Sequence, residues 1–165
     1  MLAFWATVAG IFAASAVFLF VWRPVRAASQ RARFVETRRD FHTQRERLEA
    51  KFIQLASANA RPNSPHWADC EFDDDVAYVR NRNSGELSAF VRVTVAVDNS
   101  QFPTSGADSL IGNLRAGTAI FRFDRDHWET DGRAILNLSP IEAVRFYQSD
   151  LEMVDQEVAR RPQEF

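Results

Sequence analysis

The chain has 165 residues, 46% of them hydrophobic and 25% charged, with a formal net charge of −2 at pH 7. Its single cysteine, Cys70, excludes an internal disulfide, so nothing requires an oxidising compartment. The charge is split: residues 1–63 hold 10 Lys/Arg against 4 Asp/Glu, a net of +6, and residues 64–165 hold 10 against 18, a net of −8. So acidic a C-terminal part is a poor ligand for phosphates, and no nucleic-acid partner is expected.

Met1 to Trp22 carries no charged side chain. A helix of that length would extend about 33 Å, enough for a hydrocarbon core of about 30 Å. The run is too long and lacks the basic leader of a cleaved signal peptide, and it stays apolar beyond the Ala14-Ser15-Ala16 site, so residues 1–22 are expected to be a retained signal anchor in a lipid bilayer. Trp5 and Trp22, with Arg23 and Arg26, are placed at the membrane interfaces. Arg23, Arg26, Arg31, Arg33, Arg38 and Arg39 follow the span and nothing basic precedes it, which predicts a bitopic protein with its N-terminus outside and its C-terminal domain cytoplasmic. Ala6, Gly10 and Ala14 share one helix face, the spacing that lets two spans approach closely.

Residues 23–60 are expected to form a basic juxtamembrane helix, the stalk. Pro24 suits a first turn, and Val25 to Ala60 contains no Gly or Pro. Phe34, Phe41, Leu48 and Leu55 recur every seven residues, but the companion positions are Arg31, Arg38 and Arg45, with only Phe52 apolar. A coiled coil wants both positions apolar, so the seam is half-built. Together with the anchor face it points to a homodimer, or to a helix lying on its own domain or on the membrane.

Residues 61–66 read as a linker around Pro62 and Pro65. Residues 67–165 then leave room for one small α+β domain. Val76–Arg80 is a strand candidate. Leu87–Val97 alternates, with Leu87, Ala89, Val91, Val93, Val95 and Val97 on one face and Phe90 and Arg92 on the other. Thr118–Arg125 alternates again, Asp124–His127 turns the chain, and Trp128–Leu138 returns with Gly132 as a bulge. Ser139-Pro140-Ile141-Glu142 is a capping box opening a helix, and Ile141, Val144, Tyr147, Leu151, Val154 and Val158 predict that it continues to the end of the domain. The expected architecture is a transmembrane helix, a long juxtamembrane helix, and a small antiparallel sheet of about four strands packed by a C-terminal helix. A cystatin-like or NTF2-like wrap of the sheet round the preceding helix is a fold-level analogy with no motif behind it.

Asp124, Asp126 and His127 place two carboxylates and an imidazole in one tight turn, the residue types of an acid/base pair and the weak candidates for catalysis. A hairpin turn favours the same residues for conformational reasons. The run Asp73-Asp74-Asp75 lacks the spacing that converges oxygen ligands, so no metal is assigned, and no cofactor motif occurs. Asp98–Gly117 is a long polar connection, with Leu110, Ile111 and Leu114 suggesting a turn tucked on the core, and is the expected place for a partner. The reading is a membrane-anchored interaction or assembly module with an unidentified protein partner. The alternative is a small ligand-binding or hydrolytic domain, tethered to the membrane.

Overall fold

The computed structural model describes residues 31–60, 65–96 and 114–158. The chain divides into two compact units, Met1–Thr43 and Gln44–Phe165. A helix, α1, covers residues 31–58, of which 31–43 belong to the first unit and 44–58 to the second.

In the first unit Phe41 is buried and sets its ring edge-on to His42 at 6.0 Å, Phe34 is half-buried, and Val35 is 63% exposed. Thr43 returns its hydroxyl to the Arg39 carbonyl one turn back, at 3.0 Å.

The second unit is built on a six-stranded antiparallel sheet. Its strands are β1 (His66–Asn81), β2 (Leu87–Ala96), β3 (Leu114–Asp124), β4 (His127–Glu129), β5 (Ala134–Leu136) and β6 (Leu151–Glu157), with a short helix α2 (Pro140–Phe146) before the last. The order across the sheet is β4-β3-β2-β1-β6, and β5 also pairs with β3. The β1–β2 connection is made by Asn81, whose side-chain oxygen accepts from the backbone N–H groups of Asn83 and Ser84, while Gly85 takes the left-handed φ of +75° that closes the turn.

Cross-strand register assigns the two faces. Tyr78, Ala89 and Phe121 lie opposite one another, as do Val76, Val91 and Ala119. On this face Phe52 of α1 packs against Trp67, Phe72 and Phe121 at ring separations of 5.5, 5.7 and 5.9 Å. Leu48, Phe52 and Ala56, four residues apart, are all buried here, as one helical stripe should be. The opposite face holds Ala77, Val79 and Phe90, covered by Ala143 and Val144 of α2, with Ile120, Ile135, Leu138 and Leu151 around them.

Several expectations are corrected. The sheet has six strands rather than about four. Trp128–Leu138 is not one strand: β4 and β5 are separated at Gly132, whose φ is +73° and which lies hard against Leu55 and Ala56 of α1, so the chain bends there. The C-terminal helix ends at Phe146. Leu151, Val154 and Val158 fit a helical spacing, but β1 has an open edge, and Leu151–Glu157 satisfies its backbone groups as β6. The strand β1 begins at His66, inside the expected linker, and β3 begins at Leu114, inside the expected loop. The rest of that connection, residues 97–113, lies outside the described residues, as do 61–64.

The single-pass membrane reading is corrected too. Among the described residues no helix is long and apolar enough to cross a membrane. Helix α1 carries charges along its length, from Arg31 to Lys51, and α2, at seven residues, is about 10 Å long against a core of about 30 Å. The expected span 1–22, with Trp5, Trp22, Arg23, Arg26, Ala6, Gly10 and Ala14, lies outside the described residues, so no observation carries the membrane placement or the orientation derived from it.

Candidate functional site

The two sheet faces are covered unequally. On the α1 side, residues 44–58 and their aromatic neighbours seal the sheet. On the other side α2, about 10 Å long, faces a sheet about 19 Å across and, along β2, about 33 Å long. Among the described residues, so short a helix leaves both ends of that face uncovered.

Local chemistry fixes where α2 sits. Ser139 caps it: the Glu142 backbone N–H donates to the Ser139 hydroxyl oxygen, and the Glu142 carboxylate accepts from the Ser139 N–H at 2.8 Å. The Ser139 hydroxyl, which donates to the Glu142 carboxylate at 2.6 Å, and then the Ser139 backbone N–H hold that carboxyl below its usual range, with Arg92 and Arg145 adding to the effect. Pro140 occupies the first turn, where it costs no hydrogen bond. Thr118, fully buried on β3, donates its hydroxyl to the Leu138 carbonyl at 2.8 Å and ties the approach to α2 onto the sheet.

Beyond the leading end of α2 lies a cleft of about 390 Å³, lined by Val76, Ala77, Arg92, Ile141, Glu157 and Val158 among others. Arg92 sits on β2 opposite Thr118, with its Nε 3.0 Å from Asp75 and 3.7 Å from Asp73. The Nε is buried and makes these ion contacts without a hydrogen bond. A second cleft of about 210 Å³ lies beyond the other end, bordered by Asn81, Ser88, Phe90 and Leu151. There Arg122 pairs with Asp131 at 3.2 Å and approaches Glu86 at 3.7 Å, and Arg133 reaches Asp131 at 3.2 Å. At the trailing end of α2, Phe146 is 70% exposed and packs edge-on against Tyr147 at 4.9 Å, with Met153 of β6 also exposed.

The residues singled out from the sequence fall elsewhere. Asp124, Asp126 and His127 occupy the β3–β4 turn, where Arg125 has a φ of +54°. His127 Nδ1 and Asp126 Oδ1 meet at 3.0 Å, with side chains 57% and 89% exposed; Asp124 is exposed beside them. The turn brings the pair together and leaves both side chains largely exposed. Of the seven-residue stripe, Phe34 and Phe41 lie in the first unit, while Leu48 is buried and Leu55 half-buried in the second, against their own domain. Among the described residues no group of three or more His, Cys, Asp or Glu side chains is placed to hold a metal ion. Cys70 is half-buried, and desolvation is the main cause that raises its pKa, keeping the thiol protonated.

The acidic run Asp73–Asp75, to which the sequence assigns no metal, has a specific placement in the fold. Register slips between Phe72 and Val76 mark a bulge in β1. Around it Arg45 of α1 donates to the Asp74 carboxylate at 3.0 Å and to the Asp73 carbonyl at 2.6 Å, while Asp73 and Asp75 meet Arg92. The run thus ties both α1 and β2 to β1. Arg92, Ile141 and Glu157 were missed as site residues. The available signal was an arginine beside Phe90 on the minority face of the best alternating strand. No known protein family, curated protein or solved structure matches this chain.

Proposed function

We propose that the second unit is a protein-interaction module, and that it docks a partner on the α2 side of its sheet. The observation that carries this reading is the unequal covering of the sheet. Among the described residues, one face is covered by α1, and the other presents two clefts and the exposed Phe146, Tyr147 and Met153 around a helix too short to cover it. Aromatic side chains with low ordering cost are the usual anchors of a polypeptide partner. The exposed turn pair of Asp126 and His127 lacks the water-excluding walls that acid/base chemistry draws on, and this supports binding over turnover.

A photo-cross-linking phenylalanine analogue at position 146 tests this, with the same analogue at the exposed Arg47 of α1 as control. The full chain in its native cell should give a discrete adduct from position 146 and none from position 47. Its partner peptides, from another protein or from a second copy, are identified by mass spectrometry. Equal, diffuse labelling from both positions, or none from either, would overturn the reading.

A further inference from the structure

We propose that the outer edge of β6 receives a partner polypeptide as an added strand, its apolar side chains on the α2 side of the sheet. This rests on the interaction reading above and names the form in which the partner binds. Among the described residues β6 ends the sheet: it pairs with β1 on one side and with no strand on the other. Its seven residues leave about 23 Å of edge, whose outward N–H and C=O groups have the spacing of another strand. The opposite border of the sheet offers no such length, since β4 and β5 have three residues each and the chain bends between them at Gly132. An open edge is completed by an extended backbone, which fixes the conformation of the occupant.

Register decides the side chains. Leu151, Met153 and Gln156 lie opposite Asn81, Val79 and Ala77, on the α2 side; Glu152, Asp155 and Glu157 lie opposite Arg80, Tyr78 and Val76, on the α1 side. The strand starts beside the exposed Phe146 and Tyr147, where the Leu151 N–H donates to the Tyr147 carbonyl at 2.9 Å, and Met153 is exposed on the same side. A strand laid along β6 therefore meets apolar neighbours on the α2 side and carboxylates on the other. Asp155 and Glu157 are also engaged within their own chain, so they do not call for a cation; they exclude like charge. The partner strand is thus apolar at alternate positions and basic or neutral between them. The same rule excludes a second copy: residues opposite each other in a sheet share a face, so two β6 strands would set their acidic sides together. The slip in register that leaves Val154 without an opposite residue is a bulge, a further guard against self-pairing.

The probes are three fluorescein-labelled octapeptides. Two contain leucine and arginine in equal number, in one alternating and in the other with all leucines first; the third alternates leucine with glutamate. Binding to the full chain is followed by fluorescence anisotropy at near-physiological salt, and amide hydrogen exchange of residues 151–157 is followed by NMR. The alternating arginine peptide should bind about tenfold or more tightly than either of the others. It should also slow exchange of the β6 amides that point away from β1 by about tenfold or more. Equal binding of the two arginine peptides would reduce the effect to diffuse attraction by the net charge of −8 on residues 64–165 and overturn the proposal. Binding of the alternating arginine peptide with no slowing in β6 would overturn it, as would failure of that peptide to bind. Slow exchange of those amides already in the free chain would overturn it too, assigning the edge to a second copy if the protection grows with protein concentration. In every such case cross-linking from position 146 decides how much falls: a retained adduct removes only the added strand, and a lost one removes the interaction reading with it.

Discussion

Gly132→Ala should unseat α1 from the sheet. A Cβ at this position would lie 2.7 Å from the Ala56 nitrogen, 2.8 Å from Leu55 Cβ and 2.9 Å from the Leu55 carbonyl carbon. Carbon contacts settle at about 3.5–4.0 Å, so the helix or the β4–β5 bend must yield by close to 1 Å. Two of the three contacts are backbone atoms and cannot swing aside, and the face displaced is the one that carries Phe52 and Ala56. Overpacking of this kind costs about 1–3 kcal/mol, and the φ of +73° adds about 1–2 kcal/mol for a residue with a Cβ. The sum is a loss of about 2–5 kcal/mol. Gly85→Ala supplies the control, because Gly85 has nearly the same φ, +75°, with nothing within 4 Å of an added Cβ. It should lose only the conformational part, about 1–2 kcal/mol. Urea unfolding of the full chain, followed by the fluorescence of Trp67 and Trp128, gives both values. Equal losses in the two variants would refute the close approach of α1 to Gly132.

Other consequences follow from single contacts. Thr118→Val keeps the shape of a fully buried side chain but leaves the Leu138 carbonyl without its donor; urea unfolding should show a loss of about 1–3 kcal/mol. The Glu142 carboxyl is held low by Ser139, so its contribution to stability is present above the unfolded carboxyl pKa and is lost as pH falls through the lower folded value. Glu142→Gln should therefore flatten the acid limb of the stability–pH profile and leave it unchanged in shape near neutrality. Cys70, with its thiol pushed up by burial, should react with iodoacetamide at pH 8 more slowly than a free thiol and should reach the free rate in urea. Immediate full-rate labelling in the folded chain would contradict its half-buried placement.

Local chemistry was legible wherever neighbours in sequence are also neighbours in space. The alternation of Ala89, Val91, Val93 and Val95 shows a strand with one apolar face, and the Ser139–Glu142 box marks where a helix starts. Where that helix stops is not a local matter. Leu151, Val154 and Val158 sit at helical spacing, while Leu151 and Met153 also fit a strand, and the open edge of β1, about 70 residues earlier in the chain, decides between them. Gly132 resembled a bulge because a glycine in a strand pattern usually marks one; its actual neighbour is a helix some 75 residues away. The partners of the Asp73–Asp75 run are hidden for the same reason, since Arg45 and Arg92 reach it from elements that no spacing rule connects. The turn of Asp124, Asp126 and His127 drew notice because its residues are adjacent, whereas the cleft is assembled from β1, β2, α2 and the end of β6. An apolar run of residues 1–22 invited a membrane reading that none of the described helices supports.

The most direct test removes the docking surface and keeps the fold. Phe146→Ser with Tyr147→Ser alters side chains that are 70% and 39% exposed, so the melting temperature should hold to within a few degrees. Native complexes carrying the chain are then sized by gel filtration of gently lysed cells, parent against double variant. The expected result is that the parent travels in an assembly larger than the chain alone, and that the double variant leaves it. An assembly of unchanged size in the double variant, with the fold intact, would contradict the assignment of the α2 side as the interaction face.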